Sequence, residues 1–438
     1  MHAPPPSIFI IDVPIGVSLE FVELFLKDHP DISEKNLTTS QISKLIIKPE
    51  TLGTNEPYIN KFIGKRDAKG KLYVAPSTIF VSHAWAYPFV SVNLDGMRQY
   101  AKETSDVYFW FDVFTNDQNG VVGKDFDWFC NRFRGSIQAI GKVLLILFPW
   151  NDPVPMTRVW CLFEISSTLN MPEVEFIVKL PTSQVSALEE GVRADHQAII
   201  TALSSIQAEN ATASFINERD LIFDVIRQSE GGFSAVNIQI KTFLREWYMA
   251  ELKKLADNAS KDSCLNYQIG VVMIALGDTD QALIYYEKAL VVDLKASDHE
   301  NAAHTYNVIG RAYDSKGEYD TALEYYKKSL DIYIATIGPN HPDTASTYTT
   351  MGQAYYSKGE YDTALEYYKK DLDISLATIG PNHPHTATTH FSLGALYESM
   401  GDKKQALASL QKALGIYKAT LGSTHPFTIS CEKEIADL

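Results

Sequence analysis

The amino-acid sequence predicts a multidomain chain: an open, parallel α/β sheet domain followed by an all-α superhelix of repeated units. Three observations carry this. Between residues 78 and 181, short apolar runs alternate with helical stripes. From residue 261 onward the chain repeats itself: the ten residues at 317–326 return unchanged at 359–368, an offset of 42. The length, 438 residues, leaves room for two or three domains, and 45% apolar with 21% charged residues is ordinary for globular protein. The expected division is an N-terminal extension at 1–77, the sheet domain at 78–181, a helical joint at 182–260 and the repeats at 261–438.

Composition excludes several function classes. The net charge of −15 disfavours non-specific attraction to phosphate backbones, so no nucleic-acid partner is expected. The longest strongly apolar run, 143–148, is far short of the roughly 20 residues of a membrane span. Four cysteines, Cys130, Cys161, Cys264 and Cys431, form no C-x-x-C pair. Reduced thiols and a cytoplasmic location are therefore expected. The N-terminus has no basic region ahead of an apolar stretch, and Asp12 and Pro14 interrupt the stretch that follows, so no secretory signal is read there.

Residues 1–77 begin with a Pro-rich tip and contain apolar stretches at 8–11 and 21–26. The basic, turn-rich run at 64–71 reads as a solvated loop before the first strand.

Strands are expected at 78–81, 107–111, 143–148 and 174–178, the third a continuous apolar run suited to a sheet covered on both faces. Phe89, Val90, Leu94, Met97 and Ala101 fall on one helical face, and Phe126, Phe129, Phe133, Ile137 and Ile140 on another. Thr157 stands where it would cap a third helix whose apolar side is Cys161, Leu162, Ile165 and Leu169. Ligands of such sheets bind beyond the carboxyl ends of the strands. Ser82, His83 and Trp85 follow the first strand, Asp112 the second, and Trp150 to Asp152 the third. Trp160 and Glu164, four apart, share a face of the third helix, which directs Glu164 to the rim of the same crevice.

The runs F-V-S-H-A-W, Y-F-W-F-D and T-R-V-W-C-L-F-E-I together resemble the Toll-receptor-type (TIR) domain, an open flavodoxin-like sheet, over roughly residues 78–181. Some members of that family cleave NAD between nicotinamide and ribose, and the family's catalytic glutamate falls on Glu164. The resemblance thus implies NAD as substrate, without metal or other cofactor, with Ser82, His83, Trp85, Asp112 and Trp160 lining the site. Other members only associate, TIR with TIR. Glu164 near a helix N-terminus, with Arg158 close enough to pair, has a plain structural reading as well. Cys161, on the apolar stripe, reads as a core residue more readily than as a nucleophile. Residues 182–260 look helical, with 221–223 either a last strand or more helix.

In the repeats, helical spacing before and after Gly359 gives two helices per unit. Small residues recur at Gly310, Gly352 and Gly394 and at Ala322, Ala364 and Ala406, where paired helices need close approach. The pattern L/M-G-x-x-Y-x-x-x-G-x-Y-x-x-A-L-x-x-x-Y is similar to the tetratricopeptide repeat (TPR). The 42-residue spacing and the G-P-N-H-P turn resemble the kinesin-light-chain subtype. Four units fit, centred on Gly270, Gly310, Gly352 and Gly394, with a short helix after Pro426 to cover the last face. Met273 departs from the pattern, and so does Asp371, at a position that ordinarily holds a small residue. His341, His383 and His425, one per turn, read as turn chemistry rather than metal ligands. Of each Tyr-Tyr pair one ring is expected in the core. The other, Tyr325 or Tyr367, is a candidate for the concave face, where a protein or peptide partner would lie. Two functional readings follow: a signalling scaffold whose sheet domain hydrolyses NAD to nicotinamide and ADP-ribose, and a non-catalytic adaptor whose sheet domain only docks.

Overall fold

The computed structural model describes residues 13–54, 56–120, 126–213 and 216–438. The apolar stretch at 8–11 lies outside them, as do the side chains of Phe126 and Phe129. The chain divides into two compact units, 1–252 and 253–438.

The first unit is built on a six-stranded sheet: β1 (Ile15–Val17), β2 (Val74–Pro76), β3 (Ile79–Ser82), β4 (Phe109–Trp110), β5 (Lys142–Ile146) and β6 (Glu175–Lys179), in the order β2-β1-β4-β3-β5-β6. β4, β3, β5 and β6 are parallel neighbours. β1 adds antiparallel to β4, and β2 antiparallel to β1. Residues 15–76 thus extend the sheet. Their helix α1 (Leu19–Asp28) is capped by Ser18, whose Oγ accepts from the Phe21 N–H at 3.1 Å, and it buries Phe21, Val22 and Phe25 against Tyr58 and Phe114.

Side-chain alternation along the strands divides two cores. Ile79, Val81, Phe109, Leu144 and Ile146 face a cluster that includes α1, Phe89 and Met97. On this side α2 (Asp95–Ala101) approaches closely: a Cβ on Gly96 would stand 3.0 Å from Ile146. Phe80 stacks on Trp110 (4.5 Å), and both rings meet Phe133 of α3 (Phe126–Ile140) edge-on. Helix α4 (Val159–Leu169) lies beside α3, with Trp160 against Phe133 and Arg134 over Phe163. Because both faces are covered, β5 is apolar throughout its buried length.

Thr157 does not cap α4. It closes the preceding 3₁₀ turn, its hydroxyl donating to Val154 O at 2.8 Å, and Arg158 occupies the cap without a side-chain cap bond. Residues 221–223 are helical, within α5 (Ile216–Gln228). A long helix, α6 (Gly232–Asn258), follows, and the division between the units falls inside it. Its Phe243 stacks on Phe176 of β6 (4.4 Å) and its Tyr248 hydroxyl donates to Trp150 O.

The second unit is four helix pairs and a closing helix: α7 (Ser263–Ala275) with α8 (Thr279–Ala296), α9 (His299–Ser315) with α10 (Tyr319–Thr336), α11 (Pro342–Ser357) with α12 (Tyr361–Thr378), α13 (Pro384–Ser399) with α14 (Lys403–Thr420), then α15 (Pro426–Asp437). The recurrent glycines mark where partners within a pair touch. A Cβ on Gly270, Gly310 or Gly352 would lie 2.5, 2.5 or 2.7 Å from the ring of Tyr286, Tyr326 or Tyr368, and on Gly394 2.6 Å from Leu410. Even the poorest unit in sequence therefore forms the same seam. Gly359, at φ +79°, turns the chain between α11 and α12 in a conformation that side chains resist. His341, His383 and His425 cap α11, α13 and α15: each Nδ1 accepts the backbone N–H two residues on, at 3.1–3.2 Å. Cys431 of α15 is fully buried against Leu410, Ala413 and Tyr417.

Candidate functional site

In the parallel part of the sheet the chain runs from β3 outward to β4, then crosses to β5 on the other side. The strand order reverses between β3 and β5, and sheets of this kind hold ligands at the carboxyl ends flanking such a reversal. Ser82 is the last residue of β3, two positions after Phe80, so its side chain emerges on the α3–α4 face. There its Oγ donates to Glu164 Oε2 at 2.6 Å. His83, on the opposite face, stacks on Phe111 (4.2 Å). Trp85 Nε1 donates to Asp112 Oδ2 at 2.7 Å. His83 Nε2 and Asp112 Oδ1 face each other at 3.9 Å, and both atoms are buried without a hydrogen-bond partner among the described residues.

Of the six residues expected around this site, Ser82, His83, Trp85 and Asp112 stand at the strand ends, and Glu164 of α4 meets them through Ser82. Trp160 does not: its Nε1 donates to Glu218 of α5 at 3.0 Å. Arg158 Nη1 donates to Thr212 Oγ1 at 3.2 Å. Cys161 is buried, with its thiol donating to His83 O at 3.4 Å, a core role.

Glu164 is not on an open rim; it is 8% exposed. Burial pushes its carboxyl up to about 8, the Ser82 hydrogen bond opposes the rise, and the Asp112 charge adds to it. Burial likewise lifts Asp112 to about 6 against the Trp85 and Val113 hydrogen bonds. Burial holds His83 neutral by lowering it to about 3, and it pushes the Cys161 thiol well up, away from thiolate chemistry. Near neutral pH the group therefore contains a protonated Glu164, an ionised Asp112 and a neutral imidazole. That is a pair of carboxyl groups with pKa values set apart by environment.

In the repeat unit, Tyr326 and Tyr368 are core, and Tyr325 and Tyr367 are half-buried. Tyr325 stacks on Tyr313 (5.5 Å) with Lys328 over its ring, and Tyr367 stacks on Tyr355 (5.3 Å) with Lys370 over its ring. The same stacked pair with its ammonium thus occurs twice, one repeat apart. Asp371, the misfit, is fully buried and accepts from Thr349 Oγ1 (2.5 Å), Ser375 Oγ (2.9 Å), His385 Nε2 (2.9 Å) and Thr389 Oγ1 (2.5 Å). The partners come from three helices, and only the irregularity of the repeat pointed to them.

The tetratricopeptide-repeat family profile matches residues 262–335, 315–377 and 343–419. The C-terminal unit is a TPR array. The uncharacterized protein ycf37 of Guillardia theta is 33% identical over 82 residues, 19% of this chain, and the chain spans 46% of that protein's length. Among solved structures, a kinesin-light-chain-like protein of Podosopora anserina with nearly identical TPR-like repeats is 22% identical (TM-score 0.35; 39% of this chain, 82% of that one). BtubC of P. vanneervenii is 21% identical (TM-score 0.35; 56% and 92%). MamA of Desulfovibrio magneticus is 22% identical (TM-score 0.31; 40% and 87%).

Proposed function

We propose that this chain is a scaffold that binds a protein or peptide partner through its TPR array. The twofold occurrence of the tyrosine–lysine constellation around Tyr325 and Tyr367 carries this reading. Stacked half-buried rings offer apolar area at low entropic cost, and the adjacent ammonium groups supply direction. The double variant Tyr325→Ser/Tyr367→Ser of the full chain, compared with wild type in affinity capture, is expected to lose the partners that wild type recovers. Retention of all of them by a folded double variant refutes the assignment of these rings.

A second reading concerns the sheet unit and rests on the meeting of Ser82 and Glu164 at the strand reversal, together with the TIR-like motifs. In it, the site cleaves NAD. The bond between ribose C1′ and the nicotinamide nitrogen breaks, nicotinamide leaves as a neutral molecule, and water adds to C1′ with loss of a proton. The leaving group is cationic from the start, so the demand on the protein is to stabilise positive charge developing on the ribose. The Glu164 carboxylate would do this in its ionised form, with Ser82 holding it in place. The facing His83 Nε2 and Asp112 Oδ1 would bond a ribose hydroxyl. Concentrated full-length protein incubated with NAD is expected to release nicotinamide, faster as pH rises through about 8, and Glu164→Gln is expected to abolish the release. Equal nicotinamide from both proteins leaves the sheet unit as a docking module, the adaptor reading.

A further inference from the structure

The position occupied by Asp293 in the first repeat holds Tyr333, Ser375 and Tyr417 in the next three. Tyr333 and Tyr417 are buried and fill the space where one pair meets the next. At the first junction Asp293 borders an open cavity of about 1040 Å³, walled by residues 258–264, Tyr267 and Gln268 of α7, Asp298 in the turn, and Asn301 and His304 of α9. The Asp293 carboxylate lies at its floor, 3% exposed, with Oδ2 unpartnered among the described residues. Burial raises its carboxyl above the usual range, the neighbouring Ser263 hydroxyl opposes this, and the Asp298 charge adds to it.

The chain itself shows what such a carboxylate accepts. At the junction of the third and fourth repeats Asp371, one helical turn from the equivalent position on the same face, receives His385 from the following repeat at 2.9 Å. At the first junction the residue corresponding to His385 is Asn301, which is turned to the cap, bonding Asp298 Oδ2 at 2.8 Å. The surroundings favour a cation. Between residues 257 and 305 there are eight carboxylates against three lysines, and one of those lysines, Lys261, stands exposed at the rim. The lining carries Asp262, Asp293 and Asp298 against Lys261, and a cleft with an excess of one charge sign and low-dielectric walls concentrates field at its floor.

We infer that the cavity between the first two repeats is a receptor for a basic side chain, the guanidinium or ammonium of an arginine or lysine in the partner polypeptide, with Asp293 as its counter-charge. This rests on the array being a peptide-binding surface and names the chemistry of one position on it.

The test uses the full chain and a fluorescent hexa-arginine peptide, read by anisotropy at about 0.1 M salt, where attraction between exposed charges more than about 10 Å apart is largely screened. Asp293→Asn, which keeps the shape, is expected to weaken binding about tenfold or more. Asp293→Tyr installs the side chain already accommodated at Tyr333 and Tyr417, so it removes the counter-charge and covers the cavity floor, and it is expected to abolish binding. Asp331→Asn, an exposed carboxylate of the second repeat, is expected to leave binding unchanged. Equal affinity of wild type and Asp293→Asn overturns the inference. So does an equal loss with Asp331→Asn, which reduces the attraction to net charge. If wild type ignores the peptide but still captures partners in a manner dependent on Tyr325 and Tyr367, this inference falls and the array reading stands. If that capture is absent, the array reading itself falls.

Discussion

Asp371 of the repeat unit and the Glu164–Asp112 pair of the sheet unit are carboxylates buried in opposite ways. In the repeat unit, Asp371 has no exposure and four donors spread over three helices. In the sheet unit, Ser82 donates to Glu164, and Asp112 takes Trp85 and the Val113 backbone while its Oδ1 has no hydrogen-bond partner among the described residues. A buried charge costs several kcal/mol by order of magnitude unless hydrogen bonds replace its hydration. Asp371 is fully compensated, so its purpose is to hold helices together. Glu164 and Asp112 are under-compensated, and residues kept in that condition are typical of sites that trade stability for chemistry.

The largest test of that contrast is Asp371→Ala. It removes the common acceptor of Thr349, Thr389, Ser375 and His385 and opens a cavity. A loss of about 3–5 kcal/mol from the repeat unit is expected, read by denaturant unfolding of the full chain. A loss below about 1 kcal/mol, the size of one ordinary hydrogen bond, would erase the distinction between the units.

Glu164→Gln is expected to act with the opposite sign. The unfolded carboxyl releases its proton near 4.5, while the folded one holds it to about 8. The wild-type sheet unit therefore loses stability as pH rises across that window. Glutamine still accepts from Ser82 and carries no charge to desolvate. The variant should be more stable than wild type at pH 9 and indistinguishable at pH 4, by thermal melts at both values. A variant less stable at pH 9 would make Glu164 a structural group like Asp371.

The smallest effect belongs to His385, whose pKa is raised by its hydrogen bond to Asp371. Its contribution is complete below the unfolded value near 6.5 and fades as pH rises through the higher folded value. The side chain is a quarter exposed, so screening limits the contribution to about 0.5–1 kcal/mol. His385→Gln should flatten the fall in repeat-unit stability above pH 6.5 while leaving the Glu164-dependent fall, which begins two pH units lower, in place.

Legibility in the sequence followed the range of the forces involved. The repeats were readable because each unit carries its own complete pattern, down to Gly310 and its partner ring Tyr326. The parallel strands were readable to within a residue or two because burial on both faces leaves an unbroken apolar run such as 143–148. β1 and β2 were not, because three residues carry no period and their pairing spans some sixty positions. Thr157 was misread because a hydroxyl before a helix bonds equally well to the turn behind it. At the strand ends, topology pointed to Ser82, His83, Trp85 and Asp112, and helix spacing with the TIR resemblance pointed to Glu164, whereas the exclusion of Trp160 depended on Glu218, in a helix whose type the residues left open. Asp293 left no trace, since an aspartate near a helix end is unremarkable until the tyrosines of its sister repeats are laid beside it.

The seam between a pair's two helices has an evolutionary corollary. Its close contact, glycine against tyrosine, lies wholly within one unit, so a unit carries both halves of its own fit when it is copied. Duplication then lengthens the array without any compensating change elsewhere, and the identical strings at 317–326 and 359–368 have the form that a recent copying event leaves behind. The units differ at the junctions between them, and it is there that Asp293, Asp371 and His385 set one copy apart from the next.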